Sequence, residues 1–447
     1  MTPDARLQAV IELLDQILAG AQSNGAPADK IVASYFRQRR YAGSKDRRAV
    51  NEIVYKIIRD FERHRYLLEV NPSMQVNVSG RSLLLAHFII SEASLPQFDV
   101  GDTFTPAPWS AEETIWYENT RELYADFAVP EDIALNVPEW AAEGMHARFS
   151  VAFANEASAL NTKAPLCLRV NTLKADMEDM LPCLNKNEEV FVKSNISGLC
   201  ISADTAINLE GCKPYKIGQI EVQDEAAQIA SLLVYAEAGH QIVDLCAGAG
   251  GKTLAVAADM NNQGQIYCFD THKSRLAGLS KRAKRAGVHC IQQKVIPEDQ
   301  QTRQHMLAPY TQKMDRVILD VPCSGTGTWR RSPDLRMRFD GKRLDDILEL
   351  QQQLLREGAE LVKPGGRLIY MTCSLLPSEN EKQIHRFTEQ ANSKFSLIDY
   401  RDVWNAKQHL KVMPQTLSNI PEALCLSPGT HNTDGFFVCI LERSTEK

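Results

Sequence analysis

The chain has 447 residues, 44% of them apolar and 24% charged, and a formal net charge of -6. This is ordinary globular composition with room for two to four domains, and the acidic balance does not advertise nucleic-acid binding. No run of about 18 uninterrupted apolar residues occurs, and the opening MTPDARLQAV carries an Asp where a secretory signal needs an apolar core, so no membrane span or export is expected and the location expected is the cytoplasm.

The eleven cysteines are an odd number, form no C-x-x-C pair and are absent before Cys167. That pattern argues against a disulfide framework and a zinc ribbon, so reduced thiols and no metal site are expected. Charge is unevenly spread. Between Asp99 and Glu143 eleven acidic residues stand against one basic residue, Arg121, which leaves the rest of the chain net positive. Basic clusters fall at 37–40, 45–48, 281–285 and 330–343. The third reads as a solvated helix face, and the fourth, directly after Cys323, as a place where a phosphate chain could lie across a site.

In chain order, Leu7, Val10, Ile11, Leu14, Ile17 and Leu18 give one amphipathic helix. Val50, Ile53, Val54, Ile57, Ile58 and Phe61 give another, with Gly43-Ser44 as its cap. A small helical bundle over roughly the first 95 residues follows. The stretch from 95 to 138, rich in proline and acid, reads as irregular or partly helical wrapping. From Pro165 the pattern changes to a small α+β unit, with strands at 166–173, 189–192, 199–201 and 220–222 and a helix at 176–184. A helix at 224–238 then leads into a regular alternation. Strands are predicted at 242–245, 265–269, 290–293, 317–319 and 367–371, helices at 252–260, 273–286, 344–362 and 379–390, and final strands at 395–398 and 436–441. Such alternation predicts a parallel sheet covered on both faces.

Chemistry collects at the carboxyl ends of these strands. The turn Asp244-Leu245-Cys246-Ala247-Gly248-Ala249-Gly250-Gly251-Lys252-Thr253 lacks the first glycine of a phosphate loop, because Cys246 holds that place. It also lacks the third glycine of a dinucleotide fingerprint, because Thr253 holds that one. A nucleoside without a phosphate cradle fits, with Asp270 at the next strand end for ribose hydroxyls, so S-adenosylmethionine is favoured over NAD. Asp320 and Cys323 end one strand, and Cys373 ends the next. Two thiols and an acid beside such a cofactor point to methylation of cytosine carbon 5, which needs a thiolate at carbon 6 to become nucleophilic and a base to take the carbon 5 proton. Ser378-x-x-Glu381 reads as a capping box whose helix N-terminus would favour a thiolate at Cys373.

The runs DLCAGAGGKT, LDVPCSGTGTWRRSPD and YMTCSLLPSENE resemble the Nop/Sun family of RNA (cytosine-5)-methyltransferases, and within it the bacterial RsmB-like branch. The resemblance covers about 223–441 most specifically and extends to the LRVNTL segment. It implies a multidomain α/β chain: a NusB-like helical RNA-binding domain at 1–145, a small α+β, ferredoxin-like RNA-binding subdomain at 146–225, and a Rossmann-like methyltransferase domain at 226–447. It implies Cys373 as the nucleophile, Cys323 as the aid to release of the methylated base, and Asp320 on the N3 and amino edge of the cytosine. Cys246, Ala247, Gly248, Ala249, Gly250, Gly251, Lys252, Asp270, Arg275 and Asp320 would hold the cofactor. The implied substrate is small-subunit ribosomal RNA and the implied working unit a monomer. Two positions depart from the family: Gln293-Lys294-Val295 offers no acid for the adenine, and Ala249 stands where relatives carry proline. Transfer RNA as substrate, or a noncatalytic RNA- or ribosome-binding factor that retains the fold, are the alternatives; an NAD-dependent oxidoreductase fails on the glycine pattern.

Overall fold

A computed structural model describes residues 1–23, 25–70, 76–99, 104–125, 128–185, 190–204, 209, 211–390 and 394–445. The chain forms two compact units, one of residues 1–162 with 328–342 and the other of residues 163–327 with 343–447.

The first unit is helical. Pro3–Gln22 starts on a Thr2 cap, with Pro at its first position and the Thr2 hydroxyl accepting from Ala5 N at 3.2 Å. It buries Val10, Leu13, Leu14 and Ile17 against Val50, Val54, Ile57 and Ile58 of Ser44–Arg59 and the apolar face of Gly80–Ile90. Three- and four-residue apolar spacing puts these side chains on one face, which is why the bundle was legible. The acidic stretch is more ordered than its prolines indicate. Ala111–Ala125 is a helix that buries Trp116 and Tyr117 in the same core, while Asp102 and Asp126 lie outside the described residues.

Residues 328–342 belong to this unit, and their arginines correct the expectation of a phosphate-facing run. Arg330, Arg336 and Arg338 are buried. Arg338 pairs with Asp334 at 2.9 Å and donates to the carbonyls of Gly25 and Ala26, while Asp334 accepts from Ala28 N. Arg336 donates to Asn161 Oδ1 at 2.6 Å and lies over the Trp329 ring. A guanidinium fork can satisfy several acceptors at once, and here those acceptors are protein.

The second unit begins with a small antiparallel sheet in the order β2-β3-β1-β4, made of β1 (Leu166–Val170), β2 (Val192–Lys193), β3 (Cys200–Ala203) and β4 (Ile220–Val222), with Met177–Leu184 packed on it. Of the strand predicted at 189–192, residue 189 lies outside the described residues. The turn after β1 is pinned by side chains: Asn171 Nδ2 donates to the carbonyls of Gly218 and Ala286, and Lys174 Nζ to those of Ile217 and Arg285. Glu221 on β4 is buried and takes Arg282 and Arg285 as partners, so half of the 281–285 cluster is committed to an internal ion pair rather than to solvent.

The large sheet runs β10-β12-β9-β8-β5-β6-β7, with β11 on β12. Its strands are β5 (Gln241–Asp244), β6 (Gln265–Asp270), β7 (Ile291–Val295), β8 (Met314–Asp320), β9 (Val362–Thr372), β10 (Phe395–Ile398), β11 (Leu424–Leu426) and β12 (Phe436–Arg443). From β9 to β7 the pairs are parallel; β12 joins β9 antiparallel, and β10 and β11 join β12 antiparallel. The sheet is therefore mixed, not parallel throughout. An apolar run identifies a buried strand, but its direction depends on how the chain returns to the sheet. Chain order reverses at β5, which lies between β8 and β6, and open α/β sheets bind ligands outside the carboxyl ends of strands at such a point.

Candidate active site

The turn after β5 is shaped by Gly250, which has φ +81 and caps the helix Gly251–Asp259 in the left-handed conformation. A Cβ there would stand 2.1 Å from Leu279 Cδ1, so this place requires glycine twice over. The loop is held to β6 by Gly248 N, which donates to Asp270 Oδ2 at 2.9 Å, and by Ala247 N, which donates to the Phe269 carbonyl. Asp270 is buried and also accepts from His272 N at 2.7 Å. It thus builds the turn as well as standing at its mouth. Burial pushes the Cys246 thiol well up, so that side chain is a neutral part of the wall.

Asp244, at the end of β5, was passed over in the sequence although an acid ending the first strand is itself a signal. Its Oδ2 accepts from Thr253 Oγ1 at 2.6 Å, and its Oδ1 is buried without a hydrogen-bond partner. Burial pushes its carboxyl up to about 7. Arg275 lies exposed on the first turn of Lys273–Ala286, and no hydrogen bond or ion pair joins it to Asp270 among the described residues. On the third strand, Gln293 accepts from Ser280 Oγ, and Asp299, beyond the end of that strand, is used as the N-cap of Gln300–Leu307.

Lys252, directly after the glycine turn, reaches across to the end of β8. Its Nζ pairs with Asp320 Oδ2 at 2.6 Å and sits 4.9 Å from the centre of the Phe436 ring. Burial alone would pull the Lys252 ammonium down, but the Asp320 carboxylate outweighs it and the net displacement is upward, so the lysine is held charged. Sequence spacing could not reveal this, because 68 positions separate the two residues.

β8 and β9 are neighbours in register, Asp320 opposite Met371, so the loops that leave them run side by side. Cys323 Sγ lies 3.3 Å from Cys373 Sγ. The Cys323 thiol is held well above the usual range, first by its hydrogen bond to Cys373 and then by burial, so it stays protonated. The capping box expected at Ser378 and Glu381 is absent: the helix begins at Glu381, whose Oε1 accepts from Ser418 Oγ. Glu379 and Asn380, missed in the sequence, turn inward instead and are fully buried. Among the described residues no three His, Cys, Asp or Glu side chains are grouped to hold a metal ion, and no helix is long and apolar enough to cross a membrane.

The family model described as 16S rRNA methyltransferase RsmB/F matches residues 231–442, and that of the RsmF/B-like ferredoxin-like domain matches residues 137–210. The chain is 34% identical over 337 residues to the probable ribosomal RNA small subunit methyltransferase B of Synechocystis sp., an alignment that spans 73% of this chain and 72% of that one. Among solved structures, PH0851 is similar in fold with a TM-score of 0.76 at 24% identity, covering 99% of both chains. A methyltransferase homolog from Pyrococcus horikoshii gives 0.59 at 26% identity, covering 70% of this chain and 97% of that one. The fold is that of the methyltransferases with a mixed α/β sheet behind a ferredoxin-like domain. The chain is a member of the RsmB/F family of methyltransferases.

Proposed function

We propose that the chain transfers a methyl group from S-adenosylmethionine to carbon 5 of a cytosine in small-subunit ribosomal RNA, as a monomer in the cytoplasm. The observation that carries this reading is the pair of thiols 3.3 Å apart at the ends of adjacent strands.

The turn after β5 fits the cofactor. Asp244 Oδ1 lacks a donor that a bound ammonium would supply, and Gly248, Gly250 and Asp270 shape a mouth suited to a nucleoside. S-adenosylmethionine, when bound there, supplies the electrophilic methyl group. The protein's residues do the rest. Asp320, steadied by Lys252, holds the amino edge of the cytosine. Cys373 adds to carbon 6 and drives electron density onto carbon 5. With the methyl group arriving from the opposite face, the carbon 5 proton is left on the sulfur face and passes to solvent water before the Cys373 bond breaks, which accounts for the one proton released per turnover. Cys323, protonated and adjacent, donates to the Cys373 sulfur as it leaves and so assists release.

Labelled S-adenosylmethionine, incubated with the protein and ribosomal RNA lacking its modifications, tests this. Label is expected in one cytosine of the small-subunit RNA, located by bisulfite sequencing, and is expected to vanish with Cys373→Ala. Transfer to transfer RNA alone, or cofactor binding without transfer to any RNA, would contradict the reading.

A further inference from the structure

One buried carboxylate ties the two thiol loops together, and the steps above do not use it. Glu379 is fully buried. Its Oε1 accepts from Ser324 N at 2.8 Å and from Gln351 Nε2 at 3.0 Å. Its Oε2 accepts from the hydroxyls of both Ser324 and Ser374. Ser324 follows Cys323 and Ser374 follows Cys373, so a single side chain grips the residue after each thiol. Gln351 extends the grip by donating to the carbonyl of Pro322, the residue before Cys323. Asn380 fixes the other loop, accepting from Thr372 Oγ1 at 2.6 Å and donating to the Ser374 carbonyl at 2.9 Å.

Burial pushes the Glu379 carboxyl up while these bonds pull it back, the balance of a group kept for its acceptors rather than for a charge shown to solvent. A carboxylate is the side chain that can accept from four donors at once, and directional bonds fix position where apolar packing would leave slack. Both oxygens are occupied, so Glu379 is poorly placed to act as a proton acceptor toward a substrate.

We propose that Glu379 is a positioning residue that holds the Cys323 and Cys373 loops in register, so that the two sulfurs lie side by side at the spacing release requires. This rests on the reading of Cys373 as nucleophile and Cys323 as its release partner. Phenylarsenoxide reports the spacing without RNA or cofactor, because its arsenic forms bonds to two neighbouring thiols and gives up its oxygen as water with their two protons. The full chain is used, with Cys323→Ala correcting for other cysteines. Wild type is expected to bind one equivalent at this pair. Glu379→Gln places an amide donor among donors, so arsenical affinity and kcat for methyl transfer are each expected to fall about tenfold or more while KM for RNA and cofactor Kd stay within about twofold. Ser324→Ala and Ser374→Ala remove one tie each and are expected to give intermediate losses, and they carry the test if Glu379→Gln does not fold. Arsenical affinity and kcat both within about twofold of wild type would overturn the proposal, as would a loss of cofactor affinity and melting temperature in step with kcat. Bridging that depends on Glu379 in a wild type that methylates no RNA would keep the clamp and sink the reading of the thiols.

Discussion

Lys252 Nζ lies 2.6 Å from Asp320 Oδ2, joining the helix that follows the glycine turn to the end of β8. The glycine turn and the acid at the end of β8 are therefore tied together by one ion pair. Asp320→Asn leaves the lysine without its counter-charge and offers the cytosine amino group only a neutral amide oxygen, and a drop of about a hundredfold or more in kcat/KM is expected. Lys252→Met is expected to fall less, by about tenfold, since the carboxylate survives without its support. Cofactor affinity measured by calorimetry is expected to change little in the first variant; a parallel collapse would place Asp320 with the cofactor rather than with the base.

Gly250→Ala is expected to destabilise the chain by about 1–3 kcal/mol, through a strained left-handed alanine and a Cβ driven into Leu279. Gly248 also has positive φ, +55, but its Cβ would meet nothing nearer than the Cys246 carbonyl at 4.0 Å, so Gly248→Ala is expected to cost about 1 kcal/mol from backbone strain alone. Urea denaturation of the two variants checks the order, and a reversed order would refute the steric account of the turn.

The Asp244 carboxyl, pushed up to about 7, is half protonated near neutrality in the free protein. An ammonium beside Oδ1 favours the ionised form, so binding releases a proton below that value. S-adenosylmethionine affinity is accordingly expected to weaken as pH falls from 8 to about 6, by up to about tenfold per unit, and to lose that dependence in Asp244→Asn. A flat profile in wild type would show that the ammonium does not reach this acid.

In the helical unit His64 and His87 form a buried pair, His64 Nε2 to His87 Nδ1 at 3.2 Å, with His64 Nδ1 against the Asp60 carbonyl. The carbonyl can only accept, so Nδ1 of His64 carries its proton and Nε2 accepts from His87. Burial pulls both rings down, His87 to about 3. Each is neutral when folded and free to charge when unfolded. Their stabilisation is present above about 6.5 and is lost as pH falls toward 3, by up to about 1.4 kcal/mol per unit per ring. Hydrogen-exchange protection of residues 61–70 and 80–90, corrected for intrinsic rates, is expected to fall over that range and to flatten in His64→Gln/His87→Gln. Glu62, pushed up by burial, works in the opposite sense, which is why the double variant is the needed comparison.

The elements were legible where a physical period was present. The apolar face of 44–59, the glycine turn after β5 and the two cysteines at strand ends could all be read from spacing, and the family motifs placed Asp320, Cys323 and Cys373 at neighbouring strand ends. Long-range pairing was not legible. Nothing local distinguishes Lys252 as a partner of Asp320 rather than of a cofactor, or tells that Arg336 and Arg338 turn into the helical unit. Glu379 lay inside a recognised motif, yet its role depends on Ser324, which is 55 residues away. The antiparallel β12 escaped for a similar reason: a buried strand shows no direction in its composition.

The most direct measurement compares Cys323→Ala with Cys323→Ala/Cys373→Ala, each incubated with unmethylated ribosomal RNA and S-adenosylmethionine and run on a denaturing gel. If Cys373 attacks and Cys323 releases, the single variant gives a slowly migrating protein-RNA band that the double variant lacks. A folded, RNA-binding single variant that forms no band with either ribosomal or transfer RNA would contradict covalent catalysis by Cys373.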